Sequence, residues 1–252
     1  MKKLAAIFLV IAMLLTLTGC TAFSYWDGMT YNQTRRYICK ELKEKYGEEF
    51  TVLKSGGIAT GGIWAYCAPK SDESLVFEIN AYAYGKHSRD FRDAYIQAIV
   101  RNEMKNNIDE VLSKYYDNFA SEIYVEGLLP CYDSGIRSSE KATIKNYSEA
   151  IPESNNTGIW IVLNEEEIND SQKVNAAVNE IVSEFYLTHA HIHFCYANND
   201  IINQCKEKSD SRKNADRLSV FELLEGHFPY DAFVYVGSDE NNKLAQVKFA
   251  NK

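Results

Sequence analysis

The chain has 252 residues, of which 46% are hydrophobic and 13% aromatic. This composition supplies enough apolar surface for a packed core and excludes a disordered stalk. The formal net charge of −8 argues against a nucleic-acid partner, because phosphate backbones attract basic surfaces. The length corresponds to one large domain or two small ones.

The first twenty residues contain the parts of an export signal. Lys2 and Lys3 give a positive start, and an apolar run follows from residue 4 to residue 17. That run is short for a membrane span, which needs about 17–25 residues. An uncleaved anchor that continues to Phe23 is the alternative. The weak polar break at Thr16, Thr18 and Gly19, and the cysteine placed there, favour cleavage.

The end of this segment, Leu17–Cys20, resembles the lipobox of bacterial lipoproteins. The resemblance implies a diacylglyceryl group on the Cys20 sulfur, cleavage before Cys20 and a mature chain outside the cytoplasmic membrane. We therefore expect a signal peptide over residues 1–19 and a membrane attachment through the N-terminal lipid. Removing residues 1–19, with their two lysines, leaves 233 residues and a formal charge of −10.

Hydrophobic periodicity predicts an N-terminal α+β unit over residues 30–132, after a tether over residues 20–29. Thr30 is the expected cap of a first helix, and Gly47 is its stop signal. Further predicted strands are Phe50 to Leu53, Ile63 to Cys67, Leu75 to Tyr84 and Ile123 to Val125, and a long helix is predicted from Arg89 to Phe119. The first three strands are expected to form an antiparallel meander beneath that helix.

Residues 133–158 are polar and contain Pro152, which predicts a linker or a long surface loop. A C-terminal α+β unit is predicted over residues 159–252. Its elements are a strand from Ile159 to Asn164, a helix capped by Asp170, a hairpin of His189 to Ala197 with Ile201 to Cys205, a short helix from Asp216 to Leu224, and a hairpin of Tyr230 to Val236 with Leu244 to Phe249. The predicted fold class is α+β, with an antiparallel meander and hairpins covered by helices in two halves.

The junction Lys45–Phe50, which reads Lys-Tyr-Gly-Glu-Glu-Phe, is similar to uncharacterised lipoproteins of Gram-positive bacteria. The similarity includes the strands and the long helix after this junction and extends over about residues 30–125. It implies a shared fold and carries no activity.

Three of the five histidines, His189, His191 and His193, alternate on one predicted strand. Alternate residues of a strand lie about 6.6 Å apart on one face, so two imidazoles can reach one zinc ion. A strand is too straight for all three to bind one ion, and no second motif supplies the missing ligands. We expect no bound metal or cofactor, and a metal-binding protein or metal-dependent enzyme built on this strand is the alternative.

Other motifs also fall short of a catalytic set. The glycine-rich segment 56–62 lacks the following Gly-Lys-Ser/Thr and helix of a phosphate-binding loop, so we expect a flexible hairpin loop. Residues 165–167 are three glutamates expected in a solvated loop. No GxSxG or HExxH motif occurs, and Cys195 beside His193 has no third residue to orient the pair. The sequence predicts no catalytic residue and no enzyme.

Aromatic residues alternate on two of the predicted strands, with Trp64 and Tyr66 on one and Tyr82 and Tyr84 on the next. If these strands pair, the four rings can form a patch suited to carbohydrate. Aromatic stripes at strand spacing more often pack under a helix, and the predicted long helix is available to cover them. We therefore expect these residues in the core.

Cys195 and Cys205 are the candidate disulfide pair. In the predicted hairpin, whose turn centres on Asp200, they lie opposite each other at a Cα separation that a disulfide accepts. Export permits oxidation, although two ordinary buried thiols are the alternative. Five cysteines remain besides Cys20, so at least one has no partner within the chain.

These features together predict a lipid-anchored protein on the extracytoplasmic face of the cell membrane. Its expected role is that of a non-catalytic binding or interaction module of the cell envelope. The sequence does not define its protein or cell-wall ligand.

Overall fold

Two β-sheets form the framework of the protein. The computed structural model describes residues 25–58, 61–83, 89–125, 134–150, 156–167, 170–185, 189–210, 232–237 and 247–249. In these residues the chain forms five α-helices and nine β-strands. The strands belong to a four-stranded sheet and a five-stranded sheet. The predicted α+β fold class is confirmed.

The four-stranded sheet is an antiparallel meander in which each strand pairs with the next. Its strands are β1 (Phe50–Ile58), β2 (Gly62–Pro69), β3 (Phe77–Ala83) and β4 (Arg89–Asp93). The prediction of a meander is therefore confirmed. The glycine-rich loop begins later than predicted, because residues 55–58 continue β1 and pair with β2.

The first helix, α1 (Tyr31–Tyr46), begins and ends as predicted. The Thr30 hydroxyl accepts a hydrogen bond from the Gln33 N–H, and the Gln33 side chain accepts one from the Thr30 N–H, which is a reciprocal capping box. Gly47 ends the helix in the left-handed conformation, at φ 78°, where glycine carries no Cβ penalty.

The predicted helix from Arg89 to Phe119 is wrong at both ends. Its first five residues are strand β4, and its last residue begins β5. The helix itself, α2, occupies Tyr95–Ser113. Pairing of β4 with β3, which places Phe91 opposite Ala81, gives the backbone of this segment hydrogen-bond partners in the sheet and outweighs its helical spacing of apolar residues.

The segment predicted as a linker contains packed structure. A 3-10 turn at Ser139–Lys141 is followed by a short helix, α3 (Ile144–Ala150). Ala142 and Tyr147 are only 3% and 4% exposed and belong to the hydrophobic core. Residues 134–150 therefore contact the core. The segment is mostly polar in sequence, so its few apolar residues did not predict this packing.

The five-stranded sheet combines antiparallel and parallel pairs. Its strands, in spatial order, are β5 (Phe119–Val125), β6 (Asn156–Asn164), β7 (His189–Ala197), β8 (Ala232–Gly237) and β9 (Val247–Phe249). β6 and β7 are parallel, with helix α4 (Ser171–Phe185) between them in the chain, and the other pairs are antiparallel. The β8–β9 pair confirms the last predicted hairpin.

Strand β5 links the two predicted units. The sequence assigns it to residues 30–132, yet it pairs with β6 along its whole length, from Phe119 opposite Leu163 to Val125 opposite Thr157. The core residues of both sheets and of helices α1, α2 and α4 form one continuous cluster. The boundaries of the two units stay a prediction.

Side-chain caps begin the last two described helices. Asp170 Oδ1 accepts a hydrogen bond from the Lys173 N–H at 2.9 Å, as predicted for α4. Helix α5 (Asn199–Asp210) stands where the sequence predicts a hairpin strand. Asn198 Oδ1 accepts from the Ile201 N–H at 3.0 Å, which makes Asn198 a helix cap rather than a turn residue. The predicted hairpin of residues 189–205 is therefore wrong.

Within the residues that the structure describes, no helix combines the length and apolar character that a membrane span requires. The predicted signal peptide, the predicted helix from Asp216 to Leu224, Tyr84 and Cys131 lie outside the described residues.

Candidate functional site

The four-stranded sheet has one apolar face and one aromatic, polar face. Its inner face packs into the core through fully buried residues, among them Ile63, Ala65, Cys67, Ile79 and Ala81. Trp64, Tyr66 and Tyr82 alternate with these residues, project from the opposite face and are partly exposed. The prediction that these three aromatic residues belong to the core is therefore wrong, because the smaller aliphatic set takes the buried side.

A β-bulge at Leu53 brings β1 into this outer face. Val52 pairs with Cys67 on the core side, whereas Lys54 pairs with Tyr66 on the outer side. The register shift between them reverses which side of β1 is outside. As a result, Lys54 and Gly56 border the aromatic residues of β2 rather than the core.

Glycines lie beneath two of the aromatic rings. Gly56 is the cross-strand partner of Trp64, and a Cβ on Gly56 would lie 2.6–2.7 Å from three adjacent atoms of the indole. Gly62 is the partner of Tyr82, and a Cβ there would lie 2.7–2.8 Å from two adjacent ring carbons. Both rings therefore lie against bare backbone, an arrangement that stabilises a glycine-containing strand.

Each aromatic ring has a polar neighbour on the next strand. The register places Asn80 beside Trp64, Glu78 beside Tyr66, and Asp90 beside Tyr82. The Asn80 amide donates a hydrogen bond to Glu78 Oε1 at 3.1 Å. Arg92 is the β4 partner of Asn80.

We call this outer surface the open face. It comprises Lys54, Trp64, Tyr66, Glu78, Asn80, Tyr82, Asp90 and Arg92. The rings of Trp64 and Tyr66 are 5.3 Å apart, centroid to centroid. Arg92 Nε donates to Asp90 Oδ2 at 2.8 Å, and the two cationic and two anionic side chains of the surface give it no net charge.

A buried polar cluster holds this sheet against α1 and α2. The Asp93 carboxylate is fully buried and accepts from Lys45 Nζ at 2.7 Å and from Tyr46 Oη at 2.6 Å. It also accepts from the Tyr95 N–H at 3.2 Å. Nearby, the Tyr95 hydroxyl donates to Glu48. Burial and this carboxylate raise the pKa of Tyr95 well above the usual tyrosine range.

The predicted histidine strand is β7, and its register sets the positions of the three histidines. Asn156, Gly158 and Trp160 on β6 are the respective partners of His189, His191 and His193. His193 is partly exposed, and its ring stacks on the Trp160 indole at 4.1 Å, with 7° between the planes. In the described residues, no group of three His, Cys, Asp or Glu side chains is arranged to hold a metal ion.

A serine–lysine–aspartate cluster, which the sequence reasoning missed, lies between α2 and β5. Lys105 Nζ is 2.5 Å from Asp109 Oδ2 and 3.2 Å from Ser121 Oγ, and the serine hydroxyl donates to Asp109. A base that activates a serine must accept its proton. Because Lys105 is ion-paired with Asp109, this cluster is a structural link between helix and strand.

The three glutamates at residues 165–167 form a 3-10 turn in which Glu167 pairs with Lys173 at 2.7 Å.

The candidate disulfide residues come together by a different route from the predicted one. Cys195 on β7 and Cys205 on α5 are buried members of one small cluster of six residues, with Ala120, Val162, Ala197 and Ile202. Both are thiols in the structure. The hairpin that suggested their pairing is wrong, while the disulfide itself stays a prediction.

The fold and the site thus define an α+β protein of two sheets that exposes one aromatic, polar sheet face. No protein-family model matches the chain, and no curated protein matches its sequence. Among solved structures, the chain is similar to a DUF5037 family protein from Ruminococcus gnavus ATCC 29149, with 18% identity and a TM-score of 0.56. The match covers 87% of this chain and 95% of that one. At this identity the similarity shows a shared fold.

Proposed function

We propose that the protein is a lipid-anchored lipoprotein of the cell envelope and acts there as a non-catalytic binding module through its open face. The observation that supports a binding role is the orientation of Trp64, Tyr66 and Tyr82. Their side of the sheet faces away from the core, which Ile63, Ala65 and Cys67 fill from the inner side. Aromatic rings grouped on a surface mark interaction sites more often than scattered apolar residues do.

The proposed anchor would hold this module close to the membrane. Four residues, 21–24, separate Cys20 from Tyr25, and an extended chain gains at most about 3.6 Å per residue. The chain is fixed to the folded body directly afterwards. Trp26 is 4% exposed, and Asp27 Oδ2 lies 2.6 Å from a guanidinium nitrogen of Arg89.

Membrane fractionation tests the anchor. We expect the wild-type chain in the membrane fraction and the Cys20→Ala chain either released or retained with its N-terminal signal uncleaved. Mass spectrometry should find acyl chains on Cys20 of the mature wild-type protein. An unmodified Cys20 behind an intact Met1 would refute the anchor.

Cosedimentation with isolated envelopes of the source organism tests the binding surface. The mature chain, residues 20–252 with Cys20→Ser, should bind, and Trp64→Ala should weaken binding. Tyr31→Ala is the matched control, because Tyr31 is an aromatic residue that is 40% exposed and lies on helix α1, outside the open face. Equal binding by the Trp64 variant and the wild type, or no binding by either, would refute the proposed function.

A further inference from the structure

We propose that the ligand of the open face is an uncharged glycan chain whose sugar rings stack on Trp64, Tyr66 and Tyr82. This inference rests on the proposed function and names the chemical class of its ligand. Three properties of the surface lead to it: the orientation of the rings, the polar group beside each ring and the balance of charge.

The orientation of the rings suits a flat apolar partner. Trp64 and Tyr82 lie against the backbone of Gly56 and Gly62, where an added Cβ would meet ring atoms at 2.6–2.8 Å, and both side chains are partly exposed on the side away from the core. The face of an aromatic ring carries negative potential, which attracts the weakly positive C–H groups that cover one side of a pyranose. A protein partner is instead usually anchored by side chains that fill pockets, and glycine-supported rings offer a surface to stack on.

The polar groups suit the hydroxyls around a sugar ring. Asn80, Glu78 and Asp90 each lie one strand away from an aromatic ring. Carboxylates accept hydrogen bonds, and an amide both donates and accepts them. A hydroxyl can do both, so a ring stacked on Trp64 or Tyr66 has matching partners at its edge. The 5.3 Å between those two aromatic centroids lets neighbouring parts of one chain contact both.

The charge balance selects against polyanions. Lys54 and Arg92 are offset by Glu78 and Asp90, with Arg92 and Asp90 in direct contact at 2.6 Å. The whole chain is acidic, with a formal charge of −8. Nucleic acids and anionic polysaccharides bind through clustered basic side chains and release counterions, and this surface offers no excess of cations. An uncharged ligand is therefore favoured, with binding that changes little with salt.

Chemical treatment of the envelope separates the glycan from a protein ligand. Periodate cleaves the vicinal diols of sugars, whereas protease digestion removes protein. Chains of 1,4-linked N-acetylhexosamines lack vicinal diols, so a parallel sample is digested with muramidase. We expect Trp64-dependent cosedimentation to survive protease and to be lost after periodate or after muramidase. Binding that is lost after protease but survives both glycan treatments would overturn the glycan proposal while leaving the proposed binding module intact. Absence of envelope binding altogether would refute the proposed function instead.

Calorimetry with defined sugars then tests the ligand class directly. The probes are hexasaccharides of glucose, xylose, mannose and N-acetylglucosamine, with polygalacturonate and heparin as charged counterparts. We expect at least one neutral hexasaccharide to bind, with affinity about tenfold weaker in Trp64→Ala and in Asn80→Ala and unchanged in Tyr31→Ala. The affinity should change little between about 0.05 and about 0.5 M NaCl.

Thermal unfolding of each variant shows whether it is folded, and Asn80→Ala keeps the test valid if Trp64→Ala does not fold. Preference for a charged polymer, with affinity that falls as salt rises, would overturn the proposal. Failure of all the neutral probes, together with envelope binding that resists both periodate and muramidase, would also overturn it.

Discussion

The indole of Trp64 lies over Gly56, its partner on the neighbouring strand, and leaves no room for a side chain there. A Cβ on Gly56 would be 2.6 Å from the nearest ring atoms. The adjacent Gly57 is different, because a Cβ there would meet nothing within 4 Å. Two consecutive glycines of one strand therefore form a matched pair, in which one supports the aromatic ring and the other does not.

We expect Gly56→Ala to lower the free energy of unfolding by about 1–3 kcal/mol, the usual cost of overpacking. The new methyl group should also lift the Trp64 indole off the sheet and shift its fluorescence. Gly57→Ala is the control and should leave both properties nearly unchanged. Urea unfolding and tryptophan emission spectra measure the two effects. Equal results for the two variants would contradict the arrangement of Trp64 over Gly56.

Asp93 is expected to be a major contributor to stability. Its buried carboxylate accepts hydrogen bonds from Lys45, Tyr46 and the Tyr95 N–H. In Asp93→Asn the ammonium of Lys45 loses its counter-ion at a site where that side chain is 23% exposed. We expect the free energy of unfolding to fall by about 2–4 kcal/mol. This is near the lower end of the effect of removing one partner of a buried ion pair, because Lys45 retains some contact with water.

The matched control for this charge removal is Glu44→Gln. Glu44 pairs with Lys40 on the surface of α1, and both side chains are more than 60% exposed. Exposed pairs contribute little, so this variant should unfold at nearly the wild-type urea concentration. If Asp93→Asn were equally neutral, the buried polar cluster would have no role in holding α1 to the sheet.

Stability is expected to fall in alkali, in part through Tyr95. Burial and the Glu48 carboxylate raise the pKa of its phenol in the folded chain. Folding therefore favours the protonated phenol. This contribution is complete below about pH 10, the pKa of an unfolded tyrosine, and it is lost as the pH rises further towards the folded pKa.

Urea unfolding at a series of pH values tests this effect with Tyr95→Phe. At neutral pH the variant should be less stable by roughly 0.5–1.5 kcal/mol, because the hydrogen bond to Glu48 is absent. Above about pH 10 the difference should narrow, since phenylalanine cannot ionise. A gap that stays constant across this range would show that Tyr95 does not contribute to the alkaline loss.

Local signals in the sequence predicted those elements whose ends are set by nearby residues. The capping box at Thr30 and the glycine at position 47 defined α1 correctly. Asn198 shows the limit of such signals, because asparagine favours both turns and helix caps. The spacing of Ile201, Ile202 and Cys205 resolves this ambiguity. It is helical, and Ile202 and Cys205 are fully buried on one side of α5.

Elements set by distant partners were harder to predict. Phe91 has helical spacing with Tyr95, but its segment pairs with β3, where Phe91 lies opposite Ala81. The side chains of β2 form two alternating sets, and only one of them faces the core. The outward position of Trp64 depends on which set that is. The set of Ile63, Ala65 and Cys67 is wholly apolar, whereas every aromatic residue of the other set has a polar atom. That difference in the sequence was sufficient to assign the inner face. The prediction was wrong because the helix expected from Arg89 to Phe119 was assigned to cover the aromatic residues.

The last prediction concerns Cys195 and Cys205, which we expect to form a disulfide in protein taken from outside the cytoplasm. Both side chains lie in the six-residue cluster between α5 and the five-stranded sheet, so a bond would join the helix to β7. Closing a loop of this length stabilises a protein by about 2–3 kcal/mol in the chain-entropy model. Because both residues are almost fully buried, oxidation must accompany folding, while the thiols are still accessible.

Peptide mapping after alkylation without reduction should find the Cys195 and Cys205 peptides linked. Cys39, which is partly exposed, is the internal control for alkylation. The chain is unfolded in the alkylating reagent so that buried thiols also react. If Cys195 and Cys205 are then recovered as separate alkylated peptides, the prediction is contradicted.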